Sequence, residues 1–386
     1  YVVSDTSYAA ECYRERQIIA KLVPEAVELL GGIFVSLPED SEKYANKFEV
    51  CCKKAKIPCE EISIKELLKE EKYLNKEIVK AFNVPDAIIN PWKLVNYLAE
   101  DIKSYGGQVL TNHQVISIKK TDNEIYQLEV ITNNQNKIIE CDAIINATGP
   151  WSGRIAKLIN QDVKLQLTKG SIMVFSHRIV NKAINRCRMP SSNDIMCPSG
   201  TISLWGTTSE IVNDPNTTQV RPEEIQELLS GARELFPNID KFRSFRAWAG
   251  VRPLVYPKTI SENTPLPRSH SIIDHTESGM NNILTVCGGS LTTHRSMAED
   301  VVNKIGNKFR INEPCSTSKT KLIKKNLNNW KALSHYQNVE LNKNYDNVVC
   351  ECESITKDEI LNLLNNEKLV NFHDIRRRLR IGFGPC

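Results

Sequence analysis

The chain has 386 residues, 41% hydrophobic and 25% charged, with 50 lysines and arginines against 46 acidic residues for a net charge of +4. That is the balance of a globular protein with room for two or three cored domains, and too mild for a nucleic-acid surface. No run approaches the ~18 apolar residues of a membrane span, and no signal-peptide pattern opens the sequence, so membrane contact is expected to be peripheral or through a partner.

The sequence starts at Tyr1 and stops at Cys386, directly after Gly384–Pro385, and both ends are expected to be cuts in a longer protein. Helical spacing runs from Ser7 to Leu22, and Gly31–Gly32 introduces a strand, Ile33–Leu37. Pro38, Glu39 and Asp40 are expected to cap a helix over Ser41–Ala55, followed by a charged helix over Ile64–Lys72. Pro91 opens another helix, Trp92–Ser104, at a position where its missing N–H is harmless. From Gln108 to Asn146 the period changes to two, predicting strands near 108–111, 113–119, 125–132 and 137–146. Leu165–Phe175, Asp194–Met196, Thr201–Gly206 and Phe242–Val251 are strand-like, with a helix over Pro222–Leu235. Together they predict a mixed sheet able to roof a substrate pocket.

Two stretches carry the pattern of a ligand-binding turn. Ile283–Cys287 is an unbroken apolar run that meets Gly288–Gly289 and passes into a helical segment, with Met297, Val301 and Ile305 on its apolar face. Ser290, Thr292 or Thr293 can cap that helix. A strand, a glycine turn and a helix N-terminus present N–H groups to an anion, although the same pattern also fits a merely packed turn. Ala143–Asn146 likewise runs into Ala147–Thr148–Gly149–Pro150–Trp151. Its small side chains and exposed N–H groups suit a dinucleotide's phosphate or ribose, or an ordinary strand end.

The sequence holds 12 cysteines, of which Cys12, Cys141, Cys187, Cys197, Cys287 and Cys315 read as small buried hydrophobes. Cys51, Cys52 and Cys59 lie close together, but neighbouring cysteines on a helix point different ways, which argues against a metal there. Lys319, Lys321, Lys324, Lys325 and Lys331 read as a solvated face or linker. Cys350–Glu351–Cys352 and Cys386 stand apart from these.

Ile184–Asn185–Arg186–Cys187–Arg188, the run Thr201 to Ser209, Ala249–Gly250–Val251–Arg252–Pro253–Leu254 and the Gly288–Gly289 turn occur in one order. Together they resemble the FAD-dependent glycerol-3-phosphate dehydrogenase family, more narrowly its anaerobic, quinone-linked large subunits. The likeness runs from Tyr1 to about Asn307 and resumes over Val348–Cys386. It implies an α/β (α+β) flavoprotein of the D-amino-acid-oxidase type. A glutathione-reductase-like FAD domain, lacking its first βαβ unit, would be interleaved with a mixed-sheet substrate domain. A small helical, cysteine-rich C-terminal domain would follow. The implied oxidoreductase spans 1–307, with FAD-binding parts about 1–40, 106–160 and 270–307 and substrate parts about 41–105 and 161–269. A linker at 308–347 and a partial [2Fe–2S] domain at 348–386 complete it.

No G-x-G-x-x-G occurs in the sequence, and the family's FAD-pyrophosphate loop is expected before Tyr1. The resemblance implies FAD contacts at Val115, Ala147, Thr148, Gly149, Trp151, Gly288, Gly289, Leu291, Thr292 and Thr293. It implies substrate or catalytic roles for Arg252, Tyr1 and His294. Arg252 can hold phosphate oxygens bidentately, or simply pair with an acidic neighbour. Ser290 stands where the family usually has Lys, and His294 where it usually has Tyr. A lost charge-assisted hydrogen bond costs about 1.5–3 kcal/mol, enough to weaken the enzyme or shift its substrate. The implied reaction moves hydride from C2 of sn-glycerol 3-phosphate to FAD, giving dihydroxyacetone phosphate. The alternatives are another 2-hydroxy substrate, or an electron-transfer subunit with weakened catalysis. His177 and His294 qualify as the base only by their titration range.

Cys350, Cys352 and Cys386, with a fourth cysteine expected just past the end, resemble the bacterioferritin-associated-ferredoxin type of [2Fe–2S] site. Zinc takes similar thiolates. Arg376, Arg377, Arg378 and Arg380 flank the site as a partner-facing or solvated surface. The resemblance implies electron flow to a quinone through membrane-associated partner subunits, from a cytoplasmic protein peripherally attached to the membrane.

Overall fold

The structure is a computed structural model that describes residues 2–256, 268–322, 347–366 and 371–384. Tyr1, Cys386 and most of the expected linker (323–346) lie outside the described residues.

The first helix, Thr6–Leu22, starts where the Asp5 carboxylate accepts the Tyr8 N–H. The second, Glu42–Lys54, is capped by the Ser41 hydroxyl, not by the expected Pro38–Asp40. Asp40 is engaged elsewhere, accepting the Leu37 N–H and the Arg186 guanidinium. Pro91 is the first residue of the helix Pro91–Ser104, and Asn90 accepts the Lys93 N–H. Each is a local device that satisfies an orphan helix donor.

Nine strands form the largest sheet. Its order is Glu210–Val212, Leu165–Phe175, Ile202–Gly206, Ile195–Ser199, Ala183–Arg186, Gly32–Ser36, Lys80–Val84 and Glu60–Glu61, with Ser244–Val255 also paired to Leu165–Phe175. The Ala183–Arg186 and Gly32–Ser36 strands run parallel; the other pairings are antiparallel. Strand Gly32–Ser36, placed by sequence with the first FAD-binding part, thus belongs to the same sheet as residues 165–255. One apolar core joins Ile33, Val35, Met173, Phe175 and Trp205 to Leu228, Leu235 and Phe236, contributed by the helix Pro222–Leu235 and the segment after it. The apolar stripe of an amphipathic helix requires such a sheet face to bury it.

A second sheet holds Ile144–Asn146, Ile283–Gly288 and His270–Asp274, the first two strands parallel. The period-two segment forms a separate antiparallel meander of Gln114–Lys120, Tyr126–Thr132 and Gln135–Cys141. The strand expected at 108–111 is absent: this stretch stays irregular, and Val109 and Leu110 are exposed. The predicted strand 137–146 is broken in two, its last residues pairing with Ile283–Thr285 instead of the meander.

Cys51, Cys52 and Cys187 are buried with Phe48 and Phe82, and Cys59 packs at their edge. Among the described residues no group of three or more His, Cys, Asp or Glu is arranged for a metal. No described helix is long and apolar enough to cross a membrane.

Candidate active site

Helix His294–Lys308 begins after a single 3-10 turn, Leu291–Thr293. Ser290 N–H donates to Thr293 Oγ1 at 3.2 Å, so these two residues close the turn reciprocally. Gly288 and Gly289 have φ of 76° and 70°, the left-handed region glycine tolerates. A Cβ on Gly289 would lie 2.3 Å from Met297 Sδ, so the turn depends on that glycine for space as well. The helix is clamped to Thr6–Leu22 by Arg295, which donates to both oxygens of the fully buried Glu15 at 2.7 and 2.8 Å. Ser296 adds a 2.6 Å bond to Glu11.

A cavity of about 640 Å³ lies between this turn, helix Thr6–Leu22 and the large sheet. Arg252, Thr207, Arg268, Ser290 and Thr292 line it, as do Arg16, Asp86, Tyr44, Arg188 and Asp194. Arg252 Nη2 donates to Thr207 Oγ1 at 2.5 Å and to the Thr208 carbonyl at 3.3 Å. Gly170, on the neighbouring strand, makes room for it: a Cβ there would sit 1.9 Å from Arg252 Nη2. Gly170→Ala is therefore expected to displace the guanidinium and raise KM for an anionic substrate about tenfold or more, with little change for an uncharged analogue. Steady-state kinetics with the two substrates checks this.

Beneath Arg252 lies a buried ionic network. Lys169 Nζ reaches Glu224 at 2.8 Å and Glu210 at 3.0 Å. Ser171 and Thr208 hydroxyls donate to the other Glu224 oxygen at 2.6 and 3.0 Å. Burial would raise the Glu224 carboxyl, but hydrogen bonds from Lys169, Ser171, the Arg221 N–H and Thr208 outweigh it and bring it down to about 2. Asp86 is shifted the other way, raised chiefly by burial. Burial also pushes Tyr8 up to about 12 despite its bonds to Ser290 and Thr293.

The Ala147–Thr148–Gly149 turn adjoins this assembly without lining the cavity. Asn146 Nδ2 donates to the Ser152 carbonyl and the Thr285 hydroxyl, tying the turn to strand Ile283–Gly288. Gly149–Trp151 also touches strand Ser244–Val255. A Cβ on Gly149 would meet open space, and Trp151 is exposed with its indole N–H on Asn216. Val115 sits in the meander opposite Val130, packed toward Ile144.

His294 stands apart from Arg252. It lines a different, mostly apolar hollow with Leu22, Leu94, Leu98 and Val302. Its Nδ1 pairs with the Leu291 carbonyl at 2.8 Å, and burial lowers its affinity for a proton. His177 is exposed, edge-on to Phe242. Gly170, Thr207, Arg268 and the Lys169–Glu224 pair were missed in the sequence. The one available signal was a glycine inside a strong strand pattern, which marks close approach.

The family model described as DAO, FAD dependent oxidoreductase, matches residues 4–301. The chain belongs to this DAO family of FAD-dependent oxidoreductases. It is an enzyme, and FAD is its cofactor. The chain is 30% identical over 411 residues to a subunit of the anaerobic glycerol-3-phosphate dehydrogenase of Escherichia coli (strain K12), covering 100% of this chain and 76% of that protein. The DAO fold is shared with the glycerol-3-phosphate dehydrogenase of Bacillus halodurans complexed with FAD: TM-score 0.66, 18% identity, 94% of this chain and 68% of that one. It is shared too with the FAD-bound L-α-glycerophosphate oxidase of Mycoplasma pneumoniae: TM-score 0.63, 17% identity, 84% and 87%. The residues present fit such a cofactor: the positive-φ glycine turns, the open space at Gly149 and the N–H-rich start of helix His294–Lys308 leave a surface a dinucleotide can approach.

Proposed function

We propose that the protein oxidises sn-glycerol 3-phosphate to dihydroxyacetone phosphate, with FAD held by the 147–151 and 288–293 turns and by Val115. Bound FAD supplies the hydride acceptor. The observation that carries the reading is Arg252, fixed on Thr207 and Thr208 at the wall of a cavity that also exposes Ser290 and Thr292. A guanidinium held at this spot grips phosphate oxygens and orients the substrate's C2. On this reading residues 41–105 and 161–269, joined by strand Gly32–Ser36, form the substrate part and the remainder of 1–307 the FAD part.

Adding glycerol 3-phosphate to the full-length flavoprotein is expected to bleach the flavin absorbance; no bleaching sinks the proposal. Bleaching only with another 2-hydroxy compound favours the second reading, whose basis is the neutral Ser290 in the wall of the cavity that Arg252 also lines. Ser290→Lys is expected to raise kcat/KM for glycerol 3-phosphate about 10- to 150-fold, one charge-assisted bond gained.

The C-terminal cysteines are proposed as ligands of a [2Fe–2S] cluster that hands electrons to a quinone through membrane-associated partner subunits, the protein itself being cytoplasmic. Cys350 and Cys352 sulfurs lie 3.7 Å apart, and Gly384 packs so tightly on Cys352 that a Cβ would be 2.2 Å from its sulfur. Two thiols this close, one of them packed against Gly384 just before Cys386, suit thiolate ligation. Cys350→Ser is expected to abolish bound iron, measured by metal analysis of anaerobically purified protein. Zinc at full occupancy in the unmodified protein would count against the cluster.

A further inference from the structure

The cysteine unit does not stand off from the rest of the chain. Glu353, next to Cys352, is fully buried, and its carboxylate accepts Arg380 Nε at 3.1 Å and Nη2 at 3.3 Å. Arg380 Nη2 also donates to the Ser199 hydroxyl at 3.3 Å, on the turn that joins two strands of the large sheet. From the sheet side, Arg246 donates to the Gly382 carbonyl at 2.9 Å. The guanidinium groups of Arg246, Arg376 and Arg380 all lie within 5.9 Å of the Phe383 ring centre. Gly384, packed on the Cys352 sulfur, also lies near Thr201, a Cβ on the glycine lying 3.5 Å from the threonine hydroxyl.

A small ribbon of two strands, Val27–Glu28 and Ile88–Ile89, stands behind this junction. Val27 and Ile89 line the hollow that holds Ser199, Gly200 and Arg380, and they also line the large cavity that holds Arg252. The cysteine unit therefore sits across one ribbon from the Arg252 cavity.

We propose that the Glu353–Arg380 pair is a latch that fixes the Cys350–Cys352 unit on the Ser199–Thr201 turn, holding it behind the cavity wall as a docked module. The latch makes Glu353 and Arg380 positioning residues. Its purpose rests on the proposed cluster, whereas its geometry does not. A buried carboxylate paired with an arginine is suited to this: removing the partner leaves a charge that the interior cannot hold, so the unit must open to hydrate it.

The test uses the full chain with iron chelated, alkylated with N-ethylmaleimide under native conditions, and reads each cysteine by mass spectrometry. In the unmodified protein Cys352 is expected to react slowly. In Arg380→Ala it is expected to react about tenfold faster or more, with Arg380→Lys intermediate. Cys52 and Cys187, in the core of the other half, report global unfolding and are expected to keep their rates. Glu353→Gln, which keeps the shape and removes the charge, is expected to accelerate Cys352 as well. Equal Cys352 rates in the unmodified protein and Arg380→Ala overturn the latch, as does acceleration matched at Cys52 and Cys187. Absence of iron in the unmodified protein as purified, before chelation, would instead overturn the cluster, leaving the labelling result to stand by itself.

Discussion

Arg252→Ala is expected to lower kcat/KM for glycerol 3-phosphate by about two to four orders of magnitude, the loss of two charge-assisted hydrogen bonds at about 1.5–3 kcal/mol each. The wild-type geometry explains the size of the effect. Thr207, Thr208 and the missing side chain of Gly170 hold the guanidinium before substrate arrives. Little side-chain entropy then remains to be lost on binding. Arg252→Lys keeps the charge but not the planar fork, so a smaller defect, concentrated in KM, is expected. Kinetics with an artificial electron acceptor and with glycerol as a neutral comparison separates the outcomes. An equal loss for both substrates would remove Arg252 from phosphate recognition.

Glu224→Gln is expected to have the largest effect on stability, about 3–5 kcal/mol, because it strips the buried Lys169 of one of its two carboxylates. Lys169 is 1% exposed, so water cannot replace the lost partner. The pH dependence follows from the Glu224 carboxyl, which lies at about 2 in the fold against 4.5 ordinarily. Its stabilisation is complete above pH 4.5 and is lost as pH falls toward 2, since the unfolded chain takes up the proton first. Denaturant midpoints measured from about pH 6 to about pH 2 should therefore fall more steeply for the wild type than for Glu224→Gln. A flat wild-type profile would show that the network does not hold its charge in solution. Because Thr208 bonds both Glu224 and Arg252, the variant should also raise KM for the phosphorylated substrate.

Much of the architecture was written locally. Pro91 specified a helix start, the alternation through 125–132 specified a strand, and Gly288–Gly289 specified a turn before a helix. These features rest on dihedral preferences, capping and side-chain period, which act within a few residues and can be read without the partner. The motifs that resembled the flavoprotein family lie in the large sheet and on the glycine turn, and family membership was legible from them. The cap of helix Glu42–Lys54 was misread because Asp40 is drawn off by Arg186, 146 residues away.

Tertiary structure alone decided which side chains share a space. Thr168 faces Arg252 across a strand pair, and only that register brings Gly170 beneath the guanidinium. His294 and Ser290 lie one helical turn apart, yet one lines an apolar hollow and the other the Arg252 cavity. The Glu353–Arg380 pair closes on Ser199, 181 residues back along the chain from Arg380. Sequence sets each segment's own conformation through short-range sterics and hydrogen bonding. Strand register, burial of charge and the shape of a cavity arise from contacts between distant segments, and those exist only once the chain has packed.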